Sequence, residues 1–156
     1  MTTKRNALKS LATASAIALG LLSAMGSGVA QAQTKLKWAH VYETSEAYHT
    51  ESVWAADEIK KRTNGKFEIQ VFPASTLGKE TDINQGLTLG TVDMIISGPS
   101  FAARAYPRFG IAYYPFIFRD GDHLIAYSKS PVFAEMVNEF RAKTGIQVTA
   151  YTYYVS

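Results

Sequence analysis

The positions of the histidines and tyrosines are what suggest chemistry in this 156-residue chain, which contains no cysteine. His40 follows a short apolar segment and stands beside Tyr42 and Glu43. All three side chains can donate or accept hydrogen bonds, which suits recognition of a small polar molecule. A histidine in this position can equally be a buried structural residue, so the pattern leaves both roles open.

Tyrosines crowd the end of the chain, where three of the nine stand at Tyr151, Tyr153 and Tyr154. If these residues continue a strand, alternation places Tyr151 and Tyr153 on the same face. Rings with a hydroxyl tip suit a site for a small polar organic molecule, and they suit packing on a sheet equally well.

Several classes of enzyme and cofactor site lack their motifs here. No phosphate-binding or dinucleotide-binding glycine pattern is present, and the absence of cysteine excludes thiolate metal sites. The segment Gly98–Ala102 departs from the G-x-S-x-G nucleophile elbow at its last position. Glu46 and His49 could meet on one helix face, but two ligands make a weak metal site. We therefore expect no cofactor, no metal and no catalysis.

The first 32 residues predict a secretory signal peptide. Three cations and no acid precede the apolar run Leu11–Leu22, and the segment ends in the A-x-A pattern Ala30-Gln-Ala32. The 12 apolar residues are too few for a membrane span, which needs about 20. We expect cleavage after Ala32, a periplasmic mature domain over residues 33–156, and no membrane span in it.

The mature region is electrically balanced. Three of the 16 Lys and Arg lie in the signal, so the other 13 match the 13 Asp and Glu. A basic patch for nucleic acid therefore has no support, and we expect no nucleic-acid partner.

Strand and helix patterns alternate along the mature region. Apolar or alternating segments predict strands, and capping residues followed by apolar stripes predict helices. The strands are expected over Leu36–Val41, Phe67–Val71, Val92–Ser97 and Ile146–Ala150. The helices are expected from Thr44 or Ser45 to about Arg62, over Lys79–Leu89, after Asp120–Asp122, and from Ser130 to Gly145. The aromatic run Tyr113–Phe118 is expected in the core.

This order predicts an α/β fold with a largely parallel sheet flanked by helices. Ligands in such sheets bind beyond the carboxyl ends of the strands. The segments His40–Ser45, Ser97–Phe101 and Tyr151–Ser156 are therefore the expected ligand-binding loops.

Three sequence blocks give the chain a family resemblance. The blocks Asn64–Glu80, Gln85–Met94 and Tyr114–Asp120 resemble, in sequence and order, the DctP-like solute-binding subunits of TRAP transporters. The resemblance extends over about Leu36 to Ala150. It implies the first lobe of a two-lobed periplasmic-binding-protein fold, in which a cleft between lobes captures a small organic acid.

The resemblance also assigns candidate ligand-binding residues. The loop after the first strand corresponds to His40, Tyr42, Glu43 and Thr44, and the loop after the third corresponds to Ser97, Gly98 and Ser100. In a sialic-acid-binding relative a glutamate stands at the place of Gly98. Family members hold a carboxylate with an arginine in a Gly-Thr-Arg segment, which this sequence lacks.

The resemblance implies a receptor that delivers a C4-dicarboxylate or sugar acid to TRAP membrane permease subunits for uptake driven by an ion gradient. The chain ends where the first lobe should cross to the second, so we expect an N-terminal fragment that binds its ligand weakly or not at all. A non-binding, dimerising interaction remnant is the first alternative, and a periplasmic enzyme is the second.

Overall fold

The computed structural model describes residues 32–151, so residues 1–31 of the predicted signal peptide and Tyr153 lie outside the described residues. The elements follow one another as β1 (Thr34–Ala39), α1 (Ala47–Arg62), β2 (Phe67–Phe72), α2 (Glu80–Leu89), β3 (Met94–Ile95), α3 (Pro99–Ala102), a 3-10 helix (Pro107–Tyr113), α4 (Gly121–Ser128) and α5 (Pro131–Thr144). No helix within residues 32–151 is both long and apolar enough to cross a bilayer.

A parallel three-stranded sheet lies at the centre of the first half, in the order β2-β1-β3. The β1–β2 register runs from Thr34 opposite Phe67 to Ala39 opposite Phe72. On the other side of β1, Ala39 stands opposite Ile95. Parallel strands need crossover connections, and α1 and α2 lie in those connections. The predicted α/β class with a parallel sheet flanked by helices is confirmed.

Local capping signals set the ends of several helices. The Ser130 hydroxyl accepts a hydrogen bond from the Phe133 amide at 3.2 Å, and Gly145 ends α5 with φ +75°. Asn64 and Gly65 take positive φ after α1, as their tolerance of the left-handed region predicts. The expected N-cap of α1 at Thr44 or Ser45 is wrong, because the N-cap residue is Glu46 and the helix begins at Ala47.

Two apolar clusters form the core. The first joins the sheet to α2 through Ala39, Ile83 and Val92. The second lies among the later helices and contains the rings of Tyr106, Phe109, Phe133 and Phe140 together with Met136. The spacing of Val132, Met136 and Phe140 predicts an apolar stripe on α5; Met136 and Phe140 are buried as predicted, whereas Val132 is exposed.

Two sequence predictions fail in the second half. Residues 146–150 form no strand, although Ile146 and Val148 still pack against the second apolar cluster. The aromatic run from Tyr113 lies largely on the surface: Tyr113 is 67% exposed, Tyr114 68% and Phe116 100%. Both segments have the composition of core elements, but within residues 32–151 the first has no strand paired with it, and nothing covers the rings of Tyr113, Tyr114 and Phe116.

Candidate functional site

The carboxyl ends of the three strands meet at one edge of the sheet. The Ile96 amide donates to the Ala39 carbonyl at 3.2 Å, which brings the β3 end beside the β1 end. On the other side, the amides of Ala74 and Ser75 donate to the carbonyls of Tyr42 and His40, at 2.9 and 3.2 Å. We call residues 40–44, 73–75 and 97–100 the carboxyl edge.

His40 lies beneath this edge, with 1% of its surface exposed. Its Nε2 is 3.3 Å from Nδ1 of His49 on α1, so one ring donates a hydrogen bond to the other. Its own Nδ1 is buried and has no hydrogen-bond partner among residues 32–151. Of the two roles that the sequence left open, this burial favours the structural one.

The surroundings of His40 oppose its protonation. Burial lowers the pKa of His40, and the nearby His49 lowers it further, against weaker opposing effects of the Tyr42 main chain and the Glu46 carboxylate. His49 was expected on a solvated helix face, but it is half-buried against His40.

The other predicted residues after β1 lie nearer the solvent. Glu43 and Thr44 are exposed, and Tyr42 is half-buried. The ring of Tyr42 packs on Tyr48 with the centroids 4.4 Å apart. The Glu46 carboxylate accepts from the Glu43 amide at 2.7 Å, which ties this loop to the start of α1.

The loop after β3 binds a carboxylate of the chain itself. Glu80 Oε1, at the start of α2, accepts the Gly98 amide at 2.7 Å and the Ser97 hydroxyl at 3.0 Å. Asn84 Nδ2 donates to Ser97 Oγ at 2.7 Å and to the Glu80 carbonyl at 2.7 Å. Ser100 lies half-buried within α3.

Sequence reasoning missed Glu80, Asn84 and the loop after β2. The rule that ligands bind beyond strand ends applies equally to β2, so Pro73–Ser75 could have been included. Ala74 and Ser75 both take positive φ, at 50° and 58°, which directs their amides to the carbonyls after β1. The Glu80 contact had no sequence signal, because it joins residues 18 positions apart.

Tyr151 lies in the second apolar cluster rather than at the carboxyl edge. Its ring centroid is 5.1 Å from Phe133 and 6.3 Å from Tyr127. Burial raises the pKa of Tyr151 to about 12, with a smaller contribution from Tyr127. Tyr151 also lines a surface depression of about 290 Å³ with Ser128 and Asn138.

Arginines of the described residues do not gather at the carboxyl edge. Arg108 forms ion pairs with Glu139 at 2.8 Å and Glu135 at 3.5 Å on α5. Arg104 lies over the Phe101 ring at 5.4 Å, and Arg119 is exposed. Within residues 32–151 no three His, Asp or Glu side chains are placed to share a metal ion.

Comparison with known proteins gives one consistent family. Residues 38–155 match DctP, the bacterial extracellular solute-binding protein family 7. The 2,3-diketo-L-gulonate-binding periplasmic protein YiaO of Escherichia coli is 32% identical over 112 residues, which are 70% of this chain and 34% of that protein.

Solved structures agree with the sequence match. A TRAP periplasmic solute-binding protein from Haemophilus influenzae with bound L-gulonate has a TM-score of 0.71 and 28% identity, over 76% of this chain and 39% of that one. Another, from Sulfurospirillum deleyianum with bound succinate, has a TM-score of 0.66 and 28% identity, over 73% and 36%.

The chain thus spans between one third and two fifths of the length of these relatives. The match nevertheless covers most of its residues, and the parallel sheet with flanking helices is shared with the solved structures. The chain belongs to the DctP family of bacterial extracellular solute-binding proteins.

Proposed function

We propose that this chain contributes one side of the ligand site of a periplasmic TRAP receptor. The ligand is a small organic acid of the sugar-acid or C4-dicarboxylate class, delivered to TRAP membrane permease subunits for uptake driven by an ion gradient. Export by residues 1–32, with cleavage after Ala32, places the receptor in the periplasm.

The observation that carries this proposal is the carboxyl edge of a chain that belongs to a solute-binding family. Loops from three parallel strands converge there, at the position where open α/β sheets bind ligands. Exposed Glu43 and Thr44 and half-buried Tyr42, Ser97, Gly98 and Ser100 supply polar groups to it. Relatives carry L-gulonate and succinate, which supports the organic-acid class.

A receptor encloses its ligand between two surfaces, which removes water from the polar contacts. The carboxyl edge provides one open surface. Of the two outcomes expected from the sequence, weak binding or none, we therefore propose weak binding by the chain on its own. A dissociation constant near 1 mM corresponds to only about 4 kcal/mol, which a few hydrogen bonds can supply.

Saturation-transfer difference NMR on the full chain tests the proposal. L-gulonate, D-galacturonate and succinate should give ligand signals that saturate with concentration, whereas a neutral amino acid such as leucine should give none. Equal signals from all four compounds, or none from the acids, would count against the receptor. Turnover of any of the acids during the titration would favour the enzyme alternative.

Self-association is a second candidate, and the exposed aromatic residues Tyr113, Tyr114 and Phe116 are the observation that favours it. Size-exclusion chromatography with light scattering separates the two functions. A stable dimer that ignores organic acids supports the interaction role, and an acid-responsive monomer supports the receptor.

A further inference from the structure

Glu80 brings a negative charge to the carboxyl edge, in contact with the loop after β3. Building on the proposed receptor function, we propose that Glu80 makes the site select polyhydroxylated acids over simple dicarboxylates. The ligand's hydroxyl groups bind at Glu80, and its carboxylate is directed away from this edge.

The first step of the argument concerns hydrogen-bond donors. Two of the donors that a ligand carboxylate could use beyond β3 are the Gly98 amide and the Ser97 hydroxyl, and both already bind Glu80 Oε1. A second carboxylate here would find these donors engaged and would meet a like charge. Two carboxylates held close together without a compensating cation repel each other, so the Glu80 charge disfavours a ligand with a second carboxylate.

The second step concerns the direction of the Ser97 hydrogen. Asn84 Nδ2 can only donate, so the Ser97 oxygen accepts from it at 2.7 Å. The Ser97 hydrogen is then available for Glu80 Oε1 at 3.0 Å. Asn84 also donates to the Glu80 carbonyl, which holds α2 and the β3 loop in this arrangement. Ser97 and Asn84 are therefore positioning residues for the carboxylate.

The third step concerns what Glu80 can still bind. A carboxylate has about four acceptor positions, and both hydrogen bonds found among residues 32–151 go to Oε1. Oε2 therefore remains available to a hydroxyl of the ligand, and hydrogen bonds to an ionised group are stronger than neutral ones. The side chain is half-buried rather than enclosed.

Gly98 leaves space beside this carboxylate. A Cβ added there would lie 3.7 Å from both Glu80 Oε1 and Ser100 Oγ, in ordinary contact. The volume of the missing Cβ is bordered by these two polar atoms and, at 4.0 Å, by Cδ2 of the Phe101 ring. A chain of hydroxyl groups is the ligand chemistry that fits an acceptor carboxylate and a serine hydroxyl together.

The test compares D-galacturonate with succinate as probes, using ¹⁵N-labelled full chain and Glu80→Gln. Glutamine keeps the acceptor for Gly98 and Ser97 but removes the charge. The shift of the Gly98 amide signal reports binding, and we expect a lower dissociation constant for D-galacturonate than for succinate in the wild-type chain. E80Q should reduce the ratio of the two dissociation constants by about tenfold or more, which is the scale of a charged hydrogen bond.

Glu58→Gln is the matched control, because it removes the same charge from a half-buried glutamate that pairs with Lys61 and Arg62 near the end of α1. It should leave the preference unchanged. If the spectrum of E80Q shows that it does not fold, Glu80→Asp replaces it. Aspartate keeps the charge on a side chain shorter by one methylene group, so the preference for D-galacturonate should weaken without reversing.

Three results would overturn the inference. If the acids move carboxyl-edge amides but E80Q keeps the wild-type preference, or if wild type prefers succinate, Glu80 does not select hydroxyls and the receptor function stands. If neither acid moves any carboxyl-edge amide in wild type, the proposed function fails and this inference fails with it.

Discussion

Residues 34–98, the sheet half, and residues 99–151, the helical half, build their apolar cores in different ways. Each also leaves large apolar side chains exposed, among them Trp54 and Leu89 in the first and Phe116 in the second. In the sheet half, Ile83 and Ala39 are each 1% exposed, and the strands pair in a defined register. The helical half has its own aromatic cluster, yet Phe116 projects fully into solvent. Apolar side chains are therefore buried only where another element packs against them.

Truncating one apolar side chain in each half tests whether burial against a partner element determines its contribution to stability. Ile83→Ala should lower the free energy of unfolding by about 3 kcal/mol, because it opens a cavity between α2 and the sheet. Phe116→Ala should change it by less than about 0.5 kcal/mol, because the ring is exposed. Urea unfolding followed by circular dichroism measures both. A loss of equal size in the two variants would contradict the comparison.

Local signals predicted much of the fold. The Ser130–Pro131 start and Gly145 end of α5 depend on a few adjacent residues, and so does the Asn64–Gly65 stop of α1. The meeting of the loops after β1 and β3 at the carboxyl edge followed from the α/β pattern, because parallel strands end at one edge.

The failures share a different cause. Ile146–Ala150 alternates as a strand does, but alternation cannot supply a neighbouring strand. The run from Tyr113 is apolar enough for a core, but burial depends on what packs over it. The Glu80 contact with Gly98 depends on how α2 approaches β3, and no spacing in the sequence encodes that distance. The contribution of Tyr153 to a ligand site stays a prediction.

Gly78 and Gly145, one from each half, both have a positive φ and differ in the space around an added Cβ. Gly78 in the sheet half has φ +116°, and an added Cβ would lie 2.8 Å from Asp82 Cβ. Gly145 in the helical half has φ +75°, and no atom of the described part of the chain lies within 4 Å of an added Cβ. Gly78→Ala should therefore cost about 2 kcal/mol, from strain and overlap together, and Gly145→Ala about 1 kcal/mol, from strain alone. Thermal unfolding ranks the two, and the reverse order would contradict this account.

The two halves should also respond to pH in opposite directions. The pKa of His40 in the sheet half is lowered by burial below its ordinary 6.5, so the unfolded chain binds more protons. Stability is then fully present above about pH 6.5 and falls as the pH drops below it. His40→Gln should flatten this acid-side loss in unfolding experiments between pH 7.5 and 5.5, and His123→Gln should retain it.

Tyr151 gives the alkaline counterpart in the helical half. Burial raises its pKa from 10.0 to about 12, so its contribution is fully present below pH 10 and is lost as the pH rises toward 12. Tyr151→Phe should reduce the loss of stability over this range. An unchanged alkaline slope in that variant would show that the tyrosine ionises as readily in the folded chain as in the unfolded one.

The most direct test of the receptor account asks which half responds to ligand. D-galacturonate is titrated into the ¹⁵N-labelled chain, and the shifted amides are mapped onto the two halves. The account predicts saturable shifts along the carboxyl edge, at Tyr42–Thr44, Ala74–Ser75 and Ser97–Gly98. Shifts confined to the depression beside Ser128, Asn138 and Tyr151, or no shifts at all, would contradict it.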